Sequence, residues 1–212
     1  MICILGDSFA PEVFRKAARY HGIAQTDDPA KAEVVFVSQD VETDAGGERN
    51  LAPILELVRS VQTAGAVVLT SQVPVGFTRS LNRVIYHQSE TLRVRDAFER
   101  AIYPEQFIVG CEGDLPLAYR EYLETFKCPI LTMTYEEAEF AKIAINMTLI
   151  SQVENTNRLA DYVERKGLDW NVIKRVLKND RRIGPYSYLT PGRWQDSKHL
   201  MRDWVTFNAE SF

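Results

Sequence analysis

Met1-Ile2-Cys3-Ile4-Leu5-Gly6-Asp7-Ser8-Phe9-Ala10-Pro11-Glu12 opens the chain, and its reading decides the fold class. Four apolar residues run without alternation, a glycine follows, and a helical pattern holds from about Pro11 to Tyr20, with the proline suited to a first turn. So short and uninterrupted an apolar run predicts a strand buried on both faces, because a half-solvated strand would alternate. The unit recurs along the chain. Glu33-Val34-Val35-Phe36-Val37 and Ala66-Val67-Val68-Leu69-Thr70 predict two more strands. Between them 51–63 predicts a helix, with Leu51, Ile54, Leu55, Val58 and Val61 on one stripe. Residues 75–86 predict the start of another helix, 106–110 and 129–132 two further strands, and 115–125 a helix between those. Strands alternating with helices imply a doubly wound, parallel α/β sheet over residues 1–134.

The pattern changes after Tyr135. From Glu136 to Lys166 no glycine or proline interrupts the chain, which predicts one helix far longer than the usual 11–12 residues. Phe140, Ile143, Met147, Ile150, Val153 and Leu159 recur at helical spacing, and Gly167 is placed to end the helix. A shorter helix is expected over 171–178. The remainder, 180–212, reads as largely loop, with at most a short helix at its end. The second region is therefore 135–212.

Composition excludes several classes. A formal net charge of -4 gives no electrostatic reason to expect nucleic-acid binding. No apolar run is long enough to cross a bilayer, and the first residues lack the basic start of a secretory signal. Three cysteines, Cys3, Cys111 and Cys128, are an odd number at unrelated spacings and suggest neither a disulfide framework nor a metal site. A reduced cytoplasmic setting is the expectation.

Six segments, in order, carry a resemblance. VVFVSQDVETD after the second strand, SQVPVGFTR (Ser71 to Arg79), YHQSETLRVRDA (Tyr86 to Ala97), YPEQFIVG (Tyr103 to Gly110), EAEFAKIAIN (Glu137 to Asn146) and NDRRIGPYSYLTPG (Asn179 to Gly192) each resemble motifs of the nucleotide-sugar dehydrogenases, the UDP-glucose and GDP-mannose dehydrogenase family. They cover roughly residues 33 to 203 in register. The resemblance implies a Rossmann-like NAD domain, here shortened, followed by a long-helix region like that of 6-phosphogluconate-dehydrogenase-like proteins, which forms a homodimer. It also implies a second nucleotide-gripping domain that the chain is expected to lack. Only about a dozen residues separate the first helix from VVFVS, too few for the βαβ segment a full Rossmann half would hold.

The resemblance assigns site residues. Gly6, Ser8, Phe9, Ser38, Ser71, Gln72 and Arg202 fall at cofactor-binding positions. Yet of the G-x-G-x-x-G pattern that lets backbone approach a pyrophosphate, only Gly6 remains, with Ser8 and Pro11 at the other two positions and Asp7 adding negative charge. Lys142 and Asn146, four residues apart on one helix face, match the lysine and asparagine facing the oxidised sugar carbon. There an ammonium could stabilise developing oxyanion charge. Glu90 matches a glutamate that assists hydrolysis, while Val94 replaces its companion and Gln72 replaces a water-holding threonine. Asp203 matches the aspartate of G-G-x-C-x-P-K-D, Arg202 its lysine, and His199 falls on the cysteine. An imidazole is no substitute for a thiolate in a thiohemiacetal route. His199 could instead act as a base in a two-electron step, or be a surface residue. No metal is implied.

Two readings follow. One is an NAD-dependent oxidoreductase by descent, limited to a two-electron step or to binding a nucleotide sugar. The other is a pseudoenzyme, a non-catalytic dimeric scaffold or regulator that has lost NAD. In both, the homodimer forms through the 136–166 helix, whose apolar positions exceed what a small domain covers.

Overall fold

A computed structural model describes residues 1–44 and 48–209. The chain forms two compact units, Met1–Lys142 and Ile143–Phe212. In the first, six strands lie in the order β1-β2-β3-β4-β5-β6: β1 Ile2–Leu5, β2 Val34–Val37, β3 Ala66–Leu69, β4 Tyr86–Gln88, β5 Phe107–Gly110 and β6 Ile130–Met133. The first four are mutually parallel. The uninterrupted apolar runs are explained by the two cores they feed. Ile2, Ile4, Val34, Phe36 and Val109 point to one face and pack with Tyr119 and Leu123 of α5 (Leu117–Glu124) and Ala18 of α1 (Phe9–Tyr20). Cys3, Val35, Val37, Val67 and Leu69 point to the other and meet Ile54 and Val58 of α2 (Ala52–Ser60). With both faces covered, no position along these strands favours a polar side chain.

The sheet differs from the sequence expectation at one place. Residues 75–86 form only a four-residue helix, α3 (Phe77–Ser80), and then β4. Asn82 takes φ 49, a left-handed conformation that ends helical progress, and Ile85 and the first strand residue, Tyr86, are then buried. The strand after β4 runs antiparallel to it, with His87 opposite Gly110, so the sheet is mixed rather than wholly parallel. The connection between them does not cross back along the sheet. It carries α4 (Ala97–Ile102), whose Ala97, Ala101 and Ile102 pack on Val13 and Ala17 of α1.

The long helix, α6, spans Tyr135–Arg165, 31 residues, and passes from the first unit into the second. Its start is fixed by Gly110, where an added Cβ would lie 3.0 Å from both Ala138 Cβ and Tyr135 Cα. In the second unit α7 (Trp170–Asn179) follows, its N-cap Asp169 accepting from the Asn171 N–H. The expected loop after Asp180 is only partly a loop. Lys198–Ala209 is a 12-residue helix, α8, while 210–212 lie outside the described residues. Its inward face includes Arg202 and Asp203, both buried. Those charges interrupt the apolar stripe that would have announced a helix. Trp194, its ring 5.7 Å from that of Trp204 and tilted by 42°, and Leu200 join Ile150 and Val153 in the core of this unit.

Candidate active site

The turn after β1 is built around Gly6. Its φ of +117 and the 1.8 Å that would separate an added Cβ from the Ser38 carbonyl oxygen exclude every other residue. The glycine is thus demanded by the approach of β1 to β2, independently of any ligand. Ser8 is the N-cap of α1 but makes no capping bond. Its Oγ accepts instead from the Asp40 N–H at 3.1 Å, and Ser71 Oγ accepts from the Gln39 N–H at 2.9 Å. Both hydroxyls hold the segment after β2. Ser38 is buried, Asp7 exposed and Phe9 half-exposed.

A dinucleotide lies across the point where strand order reverses, one mononucleotide half on either side. Here the strands run in sequence order, and among the described residues only a bridge, Ile2 to Gln25, lies beyond β1. The Arg15 guanidinium donates to the carbonyls of Ile4 and Gly6, both at 2.8 Å, where a neighbouring strand would pair.

The loop after β3 is anchored by a residue that sequence reasoning missed. Buried Glu139 of α6 accepts from the N–H groups of Gly76 at 2.6 Å and Thr78 at 2.7 Å. Burial pushes its pKa up and these two donors oppose that shift. His87 is fully enclosed beside it, 3.5 Å from Thr78 Oγ1, and burial lowers its pKa to about 4. Arg79 joins α3 to Glu136 and Glu112 and lies 5.4 Å over the Tyr135 ring. The hydrogen-bonded pair with Arg79, helped by a backbone N–H, holds the Glu136 carboxyl down to about 2. EAEF announced Glu139 as a motif member, but its partners could be known only once β3 and α6 were placed side by side.

The other predicted residues of this unit are distributed. Glu90 is half-buried and accepts from the Leu92 N–H within its own loop, while Val94 is 75% exposed. The backbone carbonyl of Gln72 accepts from Arg49 at 3.2 Å. Lys142 is half-buried at the end of the unit. Burial pushes the thiols of Cys3, Cys111 and Cys128 up, the opposite of what activates a nucleophilic cysteine.

In the second unit four predicted residues converge. Asn146 donates its amide to Asp203 Oδ2 at 2.6 Å, and Arg202 Nε donates to Oδ1 at 3.4 Å. Asp203 has no exposed surface, and Asn146 and Arg202 retain only 4% and 5%. Arg202 also points Nη2 at His199 Nδ1, 3.5 Å away, and His199 itself is exposed. Both oxygens of the aspartate are therefore engaged by residues of this unit. Further missed residues hold the tail to α6. Gln152 accepts from the Tyr188 N–H at 2.9 Å, Thr156 donates to the Tyr188 carbonyl at 2.8 Å, and Asn157 makes a paired bond to the backbone of Gly192. Polar side chains on an apparently solvated helix face gave no sign of this use.

The fold so described is that of a Rossmann-like α/β protein continued by a long helix. Solved structures share it: a UDP-glucose dehydrogenase from Pyrobaculum islandicum has a TM-score of 0.72 at 18% identity, covering 98% of this chain and 67% of that one. A ternary complex of GDP-mannose dehydrogenase from Pseudomonas aeruginosa has a TM-score of 0.63 at 20% identity, covering 96% and 54%. Residues 136–208 match the family model described as UDP-glucose/GDP-mannose dehydrogenase family, central domain. A UDP-glucose 6-dehydrogenase from Streptococcus pneumoniae is 31% identical over 136 residues, 57% of this chain and 34% of the relative. One from Bacillus subtilis is 23% identical over 172 residues, 73% and 39%. Residues 136–208 are thus similar to this family's central domain, and the chain spans little more than a third of the length of these two curated relatives.

Proposed function

We propose that the protein is a nucleotide-sugar dehydrogenase homologue that does not carry out the four-electron oxidation and serves as a dimeric scaffold or regulatory subunit without NAD. The observation that carries this reading is the state of Asp203. Both of its oxygens are spent on Asn146 and Arg202 in a closed ionic cluster, and the neighbouring position that the family gives to a cysteine is His199. A carboxylate so held is a poor candidate for accepting a substrate proton, since a base must reach that proton within hydrogen-bond distance. The displaced cysteine chemistry has no evident substitute in Cys3, Cys111 or Cys128, whose thiols burial pushes up from their ordinary value. Loss of NAD is supported by Asp7 in the phosphate turn and by the Arg15 contacts on β1. A homodimer through α6 is supported by the exposure of Phe140, Leu159 and Tyr162, apolar surface that a second copy would cover.

The test is calorimetric titration of the purified protein with NADH, alone and with UDP-glucose present, alongside an assay for NADH formation from NAD and UDP-glucose. No binding and no turnover are expected. Micromolar NADH affinity would overturn the scaffold reading and restore the two-electron dehydrogenase.

A further inference from the structure

β1 ends the sheet, and sheet edges are a liability, because they present a row of backbone groups to any strand that comes near. The outer side of β1 is covered in two ways. At its start, the Ile2 N–H donates to the Ala24 carbonyl and the Thr26 N–H donates to the Ile2 carbonyl, both at 2.9 Å. That ladder extends no further than the bridge at Gln25. Beyond it the carbonyls of Ile4 and Gly6, the next acceptors on this side, both receive hydrogen bonds from one Arg15 nitrogen at 2.8 Å. Arg15 projects from the second turn of α1 and is itself part-buried. The Gln25 side-chain amide then donates to the Arg15 backbone carbonyl at 3.1 Å, tying the short ladder to the helix.

We infer that Arg15 takes the place of a neighbouring strand, sealing the β1 edge against strand addition from a second copy of this chain. A guanidinium suits the task. It stays charged at every relevant pH, presents several N–H donors in a rigid plane and cannot accept a bond. A strand arriving at Ile4 and Gly6 would find both acceptors occupied by a donor that must first be displaced. The positive charge left at the edge repels the same edge of another copy.

The test is Arg15→Met, which keeps the length of the stem and removes every donor. Sedimentation over a range of concentrations is compared with the parent protein, and the infrared amide band is followed for intermolecular strand pairing. The variant is expected to form species beyond those of the parent, at concentrations on the order of tenfold lower, the effect of about one net hydrogen bond, together with the intermolecular band. Unchanged association would overturn the inference, even if melting temperature fell, because loss of stability alone marks Arg15 as only a packing residue. Should the methionine variant fail to fold, Arg15→Lys decides. It retains the charge but lacks the planar donor fork, so it must associate more than the parent; parental behaviour from a folded lysine variant would likewise overturn the inference.

Discussion

Replacing Asp203 by alanine removes the acceptor shared by Asn146 and Arg202 and leaves a guanidinium of 5% exposure without that carboxylate. Breaking a buried pair from one side costs about 3–5 kcal/mol, because the remaining charge stays desolvated. Asn146→Ala removes one hydrogen bond to a charged acceptor, worth about 1.5–3 kcal/mol. The double replacement Arg202→Met, Asp203→Leu removes both charges and fills their volume, so it is expected to cost far less than Asp203→Ala alone. Denaturant unfolding of the four proteins, followed by circular dichroism and by the fluorescence of Trp194 and Trp204, measures these differences. Trp194 and Trp204 meet within the same unit and report on it directly. An Asp203→Ala variant within 1 kcal/mol of the parent would refute the argument that this aspartate is held as a structural anion.

His87 provides a pH test. Its burial depresses the folded-state pKa from 6.5 to about 4, so the unfolded chain binds the extra proton first. That contribution to stability is fully present above pH 6.5 and is lost as pH falls toward 4, about 3 kcal/mol across the window. His87→Gln should flatten this part of the stability profile, whereas raised Glu139 acts in the opposite sense in both proteins; an unchanged slope would contradict it. Gly6→Ala should cost about 3 kcal/mol or more, from positive φ and the collision with Ser38, measured as a fall in denaturation midpoint. His199→Cys restores the family residue but not a free base, so NADH formation from NAD and UDP-glucose should remain at background. Leu159→Asp should weaken the proposed α6 dimer, visible as a lower sedimentation coefficient at micromolar protein.

β1, β2, β3 and β5 were legible because burial on both faces leaves an uninterrupted apolar run as its mark, and β6 carries a similar run although Leu131 and Thr132 are exposed. Five of the six were located that way. The missed one, β4, contains His87 and Gln88, polar residues buried through tertiary partners: Gln88 accepts from the Tyr119 hydroxyl at 2.9 Å. The same cause hid α8, whose buried face includes a salt bridge. The long helix was clear from its unbroken length. The site was legible as a set of positions, since Asn146, Asp203, Arg202 and His199 do meet in one unit. What spacing could not reveal was the direction of each hydrogen bond. Asn146 donates inward to Asp203, and Ser8 and Ser71 accept from the chain itself. Arg15 gave no signal at all, because an arginine on an amphipathic helix ordinarily reads as solvated surface.

The matching residues also have structural duties that would hold them in place with or without the family's reaction. Gly6 fits a phosphate turn, yet Ser38 alone would exclude a side chain there. Asp203 and Asn146 fit an oxidation site, yet each is the other's buried partner, and losing either leaves a desolvated group behind. Glu139 stands in a family motif, yet it is required to receive two backbone N–H groups of the loop after β3. Of the positions that differ, Val94 is 75% exposed, while His199 is exposed but still faces buried Arg202 at 3.5 Å. A fold under stability constraint alone would therefore keep Gly6, Asn146, Asp203 and Glu139, whatever their part in a reaction. Activity assays on variants of the retained residues consequently have to be read together with stability, or a loss of fold will pass for a loss of chemistry.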